Sequence, residues 1–309
     1  MKQTSFARRT KSEICSLEGT AARCCKTAEL YGLLLFSMSF SPALVKLQAE
    51  NKDVVGRAAL LSAELVGVPL AIECKQGAKS DRFYTAATET PQDALALTGF
   101  FGHAPGELAL TINRALFTCE NCARSFLRGA FLSAGAVIDP GKGYHLELAT
   151  PHIRVGEGLC ALLGEYGIAV RSTRRRGNFV AYLKESEGIE DFLNLIGAQN
   201  AAFDIMNVKI YRDLRNRANR VTNCETANLG KAVGAAAAQL EAIGRLRGAG
   251  RFETLPQELI EAAELREQNP DMTLSELAAA AGVSKSGMNH RLQKLLRAAN
   301  DCSPDQEAP

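Results

Sequence analysis

The chain repeats itself. Cys25-Lys-Thr-Ala-Glu-Leu-Tyr-Gly32 lines up with Cys122-Ala-Arg-Ser-Phe-Leu-Arg-Gly129, and an apolar helical stretch follows the glycine in both places. A duplicated chain must build two similar half-domains, and each layer it forms has to bury its apolar face against another. Downstream of the first copy, the pattern predicts an extended segment (Ala43–Ala49), a helix (Val54–Val66), strands Leu70–Cys74 and Arg82–Ala87, and a helix after Pro91. The second copy repeats the order with strand Tyr144–Ala149, helix His152–Tyr166, strands Ile168–Thr173 and Phe179–Lys184, and helix Ile189–Ile196. The strands rest on β-branched and aromatic content and on alternation. Turns are marked by Gln76-Gly77-Ala78-Lys79-Ser80 and by Arg175-Arg176-Gly177-Asn178. Gly67 and Gly167 fall where each middle helix should end, which suits a left-handed C-terminal cap. The expectation is an α+β protein, a pseudo-symmetric αββαββα unit present twice, with its two leading helices paired. Leu30-x-Gly32 and Leu127-x-Gly129, with Gly135, Ala130 and Ala134, offer small residues for a close helix crossing; ordinary core alanine and glycine is the other reading.

After about Asn200 the composition shifts to helix formers, with a strongly helical stretch over Ala227–Arg247, a break at Gly248–Gly250 and a further helix over Gln257–Gln268. A helix-turn-helix pattern follows. Thr273 and Glu276 form a capping box, Leu274, Leu277 and Ala278 an inner face, Gly282 the turn, and Ser284 the next cap. Met288, Leu292 and Leu295 face inward on the second helix. That leaves Lys285, Ser286, Asn289, His290, Arg291 and Lys294 outside, where a recognition helix meets bases and phosphates. A plain helical hairpin with a basic surface is the blander reading. The expected domains are residues 1–220, with copies at about 20–105 and 120–200, and an all-α module over 221–309.

With 46% hydrophobic residues, wholesale disorder is excluded, and a net charge of +2 names no partner. The distribution of charge says more. Arg171, Arg174, Arg175 and Arg176 stand together without an acid, and Lys209–Lys231 carries six bases against Asp213 and Glu225. Such segregation suits a polyanion, although a charge run can equally be a solvated face. No apolar run approaches the roughly 20 residues of a membrane span, and the basic N-terminus lacks an apolar stretch with a cleavage site. A soluble cytoplasmic protein is expected.

The helix Leu127-Arg-Gly-Ala-Phe-Leu-Ser-Ala-Gly135 resembles a degenerate form of the motif that names the LAGLIDADG homing endonucleases. That resemblance implies a saddle whose sheets face DNA, and cleavage there would need an acid near the end of each leading helix to hold a divalent metal. The corresponding positions are Ser37 and Ala134, and neither can hold a metal as a carboxylate does; Asp139 is the nearest acid after the second helix. Further blocks resemble the WhiA family: Ser5-Phe-x-x-x-x-Lys11-x-Glu13, Gly143-Tyr-His-Leu-Glu147, Tyr182-Leu-Lys-Glu185 and Asp191-Phe-Leu-Asn-Leu-Ile-Gly197. So do Arg215-Asn216, Asn223-Cys-Glu-Thr-Ala-Asn228 and Ser284-Lys-Ser-Gly-Met-Asn-His-Arg-Leu292. The family implies a bacterial, nucleoid-associated DNA-binding regulator tied to sporulation, cell division or chromosome segregation, built from a catalytically dead homing-endonuclease fold and a helix-turn-helix. Its partner would be double-stranded DNA, with no cofactor. By the same resemblance Arg171, Arg174, Arg175 and Arg176 at a hairpin, and Arg212, Arg215 and Arg220 on a helical stretch, become candidates for phosphate contact.

Two other readings stand beside this one. The degenerate domain could instead dock a sigma factor, a division component or a second regulator, and an active metal-dependent endonuclease is the remote alternative. Cys119-Glu-Asn-Cys122 and Cys24-Cys25 occupy matching places in the two copies and in principle could hold zinc. Cys24 and Cys25 are adjacent rather than spaced, however, and no histidine lies near, so buried thiols and no metal are expected. Nine cysteines, an odd number, argue against a disulfide framework. His103 and His152 read as structural, and His145 with Glu147 as a polar contact on one strand face.

Overall fold

In the computed structural model, which describes residues 5–17, 22–76, 82–107 and 109–301, the chain divides into two compact units, Met1–Arg212 and Asp213–Pro309. The first opens with a helix the duplication does not contain, α1 (Phe6–Ser16), capped by the Ser5 side chain. Copy one then runs α2 (Arg23–Leu35), β1 (Ser39–Ser41), β2 (Leu44–Ala49), α3 (Lys52–Val66), β3 (Ala71–Gln76), β4 (Arg82–Ala87) and α4 (Pro91–Phe100). Copy two runs α5 (Cys122–Ala134), β5 (Gly135–Val137), β6 (Leu146–Thr150), α6 (Ile153–Glu165), β7 (Arg171–Arg175), β8 (Asn178–Leu183) and α7 (Ser186–Ile196). Both sheets are antiparallel and share one topology, β1-β2-β4-β3 and β5-β6-β8-β7. The duplicated αββαββα order is therefore present. The turn expected over Gln76–Ser80 lies, from residue 77 on, outside the described residues.

Strand ends differ where a helix cap intervenes. Gly67 is left-handed (φ 76°) and caps α3 as expected. Gly167 is also left-handed (φ 73°), and the Ile168 amide closes back onto the Leu163 carbonyl at 3.1 Å. Ile168 therefore belongs to the end of α6, and the strand expected from Ile168 begins only at Arg171.

α2 and α5 cross at the centre of the unit, and two glycines permit it. A Cβ on Gly32 would lie 2.1 Å from the Phe126 carbonyl oxygen, and one on Gly129 would lie 2.1 Å from that of Glu29. The two contacts are reciprocal, as a two-fold relation demands. Gly135, expected on the same face, does a different job: it opens β5, and a side chain there would strike the Phe131 ring at 2.2 Å. Leu30, Leu33, Leu34, Phe126, Leu127 and Phe131 surround the crossing fully buried, each contributing on the order of 1.5–3 kcal/mol by leaving water. Glu29 is buried there too. It is paired with Arg57 of α3 and lies 3.5 Å from Arg128 of α5, while Arg128 also donates to the Ile196 carbonyl at 2.8 Å.

One 50-residue helix, α8 (Gln199–Gly248), contains the division between the units. The expected boundary near residue 220 falls inside it, because the basic stretch and the alanine-rich stretch, read separately, join without a breaker. The break at Gly248–Gly250 is where α8 ends, with Gly250 at φ 66°. The second unit continues through α9 (Gln257–Gln268), α10 (Leu274–Ala280) and α11 (Lys285–Asn300). Its core gathers Ile243, Leu246, Phe252, Leu259, Ala263, Leu277, Ala278, Met288, Leu292 and Leu295.

Candidate nucleic-acid interface

The α10–turn–α11 segment is held at each joint the sequence marks. The Thr273 side chain accepts from the Glu276 amide while the Glu276 carboxylate accepts from the Thr273 amide, a complete capping box. Gly282 takes φ 65° in the turn, and Val283 returns to the Ala278 carbonyl at 3.0 Å. Ser284 Oγ accepts from the Gly287 amide at 3.1 Å and starts α11. Ala278 is buried where α10 meets α11, and Met288, Leu292 and Leu295 are buried beneath α11. This packing leaves Lys285, Ser286, Asn289 and His290 exposed on its N-terminal half. Lys294 is exposed as well and Arg291 is largely covered, and each stands 3.9 Å from the Glu258 carboxylate of α9. Sequence reading missed Arg266. It is buried, and its Nη1 donates to the carbonyls of Asn269, Pro270 and Met272, the last at 2.7 Å, fixing the loop that enters α10.

In the first unit, register decides which charges share a face. Opposite the buried Leu146, Leu148 and Ala181, the outer face of the second sheet carries Glu147, Tyr182, Asn178, Arg171, Thr173 and Arg175. Arg174 pairs with Phe179 and so points to the other face. Arg176 sits in the two-residue turn at φ 51°, followed by Gly177 at φ 82°, a mirror-image turn suited to the strand twist. The four arginines thus split between two faces and a tip. Arg175 is also partly spent, since it donates to Glu147 at 2.8 Å while His145 approaches the same carboxylate at 3.1 Å. Partial burial pushes the Glu147 carboxyl up, but those two hydrogen bonds outweigh it and leave Glu147 below the usual carboxylate range. Arg171, Arg174 and Arg176 form no ion pair among the described residues. On α8, Arg215 and Arg220 are exposed, but Arg212 is occupied. It donates to the Pro140 and Gly141 carbonyls at 2.7 and 3.0 Å and lies over the Tyr144 ring, so it holds that loop rather than facing outward.

At the ends of the central helices, Ser37 is buried with its hydroxyl donated to the Ser39 carbonyl at 2.9 Å, and Ala134 is the last residue of α5. Asp139 is turned to its own loop, accepting from the Gly141 amide at 2.8 Å. A cavity of about 290 Å³ beside this end is lined by Arg8, Lys11, Gln48, Glu50 and Ser133. Burial pushes the Lys11 ammonium down to about 8, with Glu50 opposing. No sequence signal apart from the family block pointed to α1 bringing cations here.

The cysteines set aside on spacing converge at the opposite end of the helix pair. Cys24 and Cys25 of α2 and Cys119 and Cys122 at the start of α5 place all four sulfurs within 4.8 Å of one another. The expectation of buried thiols holds for Cys25 and Cys122, whereas Cys119 is exposed. His103 is structural as expected, buried and bonded to the Tyr31 hydroxyl at 2.9 Å and Glu107 at 2.7 Å. His152 stands at the N-cap position of α6 without a side-chain bond to its amides, and its basicity is lowered by burial.

Two half-domains of one topology, crossed at paired glycines and followed by a capped helix-turn-helix, define a class: a duplicated LAGLIDADG-like scaffold joined to a helix-turn-helix module. Residues 123–215 match the WhiA LAGLIDADG-like domain and residues 218–299 the WhiA C-terminal HTH domain. Proteins named "Probable cell division protein WhiA" from Alkaliphilus metalliredigens and Ruminiclostridium cellulolyticum are 34% and 35% identical over 305 residues, spanning 94% of this chain and 96% of each relative. One from Bacillus cereus is 36% identical over 301 residues, spanning 94% of this chain and 95% of its own. The chain belongs to the WhiA family. The crystal structure of full-length WhiA from Thermatoga maritima shares its fold, with a TM-score of 0.59 at 23% identity over 96% of this chain and 99% of that one.

Proposed function

We propose that the chain is a sequence-specific DNA-binding regulator of cell division, acting at the nucleoid in the cytoplasm and without nuclease activity. The observation that carries this reading is α11: acid-free from Lys285 to Arg297, capped by Ser284, seated on a packed core, and exposing Lys285, Ser286, Asn289 and His290 on its first two turns. Those groups suit base edges and phosphates in a major groove, where an asparagine can pair with adenine and a lysine with guanine. The relatives' name supplies the process, and the family resemblance extends it to sporulation and chromosome segregation. A single helix-turn-helix gains specificity from a dimer or from a second contact region. The outer face of the second sheet, with Arg171 and the Arg176 tip, is the region we assign to phosphate contact. Ser37 and Ala134 support the absence of cleavage, since neither side chain can bridge a divalent ion to a scissile phosphate.

The test is a titration of the full chain against a pool of fragments from its own genome, at two salt concentrations, with and without magnesium. Enrichment of particular fragments, uncut, is expected. Magnesium-dependent cutting would overturn the loss of chemistry. No binding at either salt would move the function to docking a sigma factor or division component.

A further inference from the structure

The four-cysteine cluster joins the two copies at the open ends of their central helices. Cys25 and Cys119 sulfurs stand 3.4 Å apart, Cys119 and Cys122 3.4 Å, and Cys24 and Cys119 3.7 Å. A tetrahedron of thiolates about 2.3 Å from a central ion has edges of about 3.8 Å, so these spacings match a single four-coordinate ion. They are too tight for sulfurs spread around a multi-iron cluster and well beyond the roughly 2.05 Å of a disulfide. The adjacency of Cys24 and Cys25, which argues against a site from spacing alone, is answered by the fold. Both lie in the first turn of α2, and Cys119, from the loop before α5, approaches each of them.

The helix ends around the cluster suit negatively charged sulfurs. Neither α2 nor α5 has a side-chain cap on its first amides, so two helix N-termini bring their positive ends to one point.

We propose that Cys24, Cys25, Cys119 and Cys122 bind one zinc ion that staples the first copy to the second. Four thiols would lose their protons to solvent as four Zn–S bonds form, with no change of oxidation state. Each bond pair would close a loop of about 95 residues, 94 for Cys25 to Cys119 and 95 for Cys24 to Cys119, so binding would stabilise the folded chain against the unfolded one.

The experiment measures metal in the full chain purified under mild reducing conditions, then titrates metal-stripped chain with cobalt(II) alone. One zinc per chain is expected, together with the intense visible bands of a tetrahedral cobalt–thiolate site, and a lower melting temperature after stripping. Cys119→Ser, at an exposed position that endangers no core, should lose both signals, while Cys160→Ser and Cys74→Ser keep them. Wild-type chain that carries no stoichiometric zinc and gives no cobalt–thiolate bands overturns the proposal. So does a Cys119–Cys122 disulfide found by mass under the same conditions, which would make the cluster a redox pair.

Discussion

The outer face of the first sheet carries Lys46, Gln48, Thr85, Glu73 and Lys75, and Glu73 and Lys75 pair with each other at 2.8 Å. The second sheet, of identical topology, carries Arg171, Thr173, Arg175 and Glu147 on that face and an arginine in its turn. At the helix crossing the copies instead match atom for atom, with Gly32 and Gly129 each 2.1 Å, at Cβ, from the other helix's carbonyl. Close packing at a two-fold leaves no latitude, so both copies keep the same residue. An outward face is constrained only by what it binds, and there the copies have diverged. Two positions in the turn before the glycines diverged as well: Glu29 in copy one corresponds to Phe126 in copy two, and Tyr31 to Arg128. Charge from the second copy therefore completes a buried network begun in the first.

The largest effect should come from the shared positions. Gly129→Val and Gly32→Val should each cost more than about 4 kcal/mol, because backbone rather than a flexible side chain stands in the way. Thermal unfolding of the two variants should show equal damage, and unequal damage would break the pseudo-symmetry. Gly56→Ala on α3, where nothing lies within 4 Å, should instead stabilise by about 0.5–1 kcal/mol. Next in size is Glu29→Gln. It leaves Arg57 and Arg128 without their buried partner and should cost about 3–5 kcal/mol in denaturant unfolding.

Surface effects are smaller and read on DNA. Replacing Arg171 and Arg176 by alanine should flatten the salt dependence of binding by about 0.9 in slope for each phosphate no longer neutralised. Lys46→Ala with Lys75→Ala should change it less, since Glu73 already offsets Lys75. An equal change would mean the sheets contribute alike. Smallest is the acid response of Glu147. Its native pKa lies below its unfolded value, so its stabilisation is full above about pH 4.3 and is lost as pH falls through the lower native value. The stability gap between wild type and Glu147→Gln should narrow over that acid range.

The helix-turn-helix was legible almost to the atom because each of its joints has a residue type of its own: Thr273 and Glu276 for one cap, Gly282 for the turn, Ser284 for the next. The duplication likewise exposed the αββαββα order and the glycine pair. Tertiary partners were not legible. That Arg291 and Lys294 turn to Glu258, that Arg212 holds the Pro140–Gly141 loop, and that Arg174 leaves the face of Arg171 follow from packing and register. A count of charges carries none of that. The duplication placed the two cysteine pairs at matching points, but the distances between their sulfurs were not legible, for a related reason. Sequence spacing describes one segment at a time, whereas this cluster is assembled by two helices crossing.

The division of labour between reader and grip is tested most directly by one measurement: affinity for an enriched genomic fragment against unrelated DNA, compared for wild type and a Lys285→Ala/Asn289→Ala variant. The ratio should collapse in the variant by about 10-fold or more, at roughly 1–3 kcal/mol for each base left unread, while binding to unrelated DNA persists with its salt dependence. A variant that keeps the wild-type ratio would place sequence reading outside α11 and contradict the account.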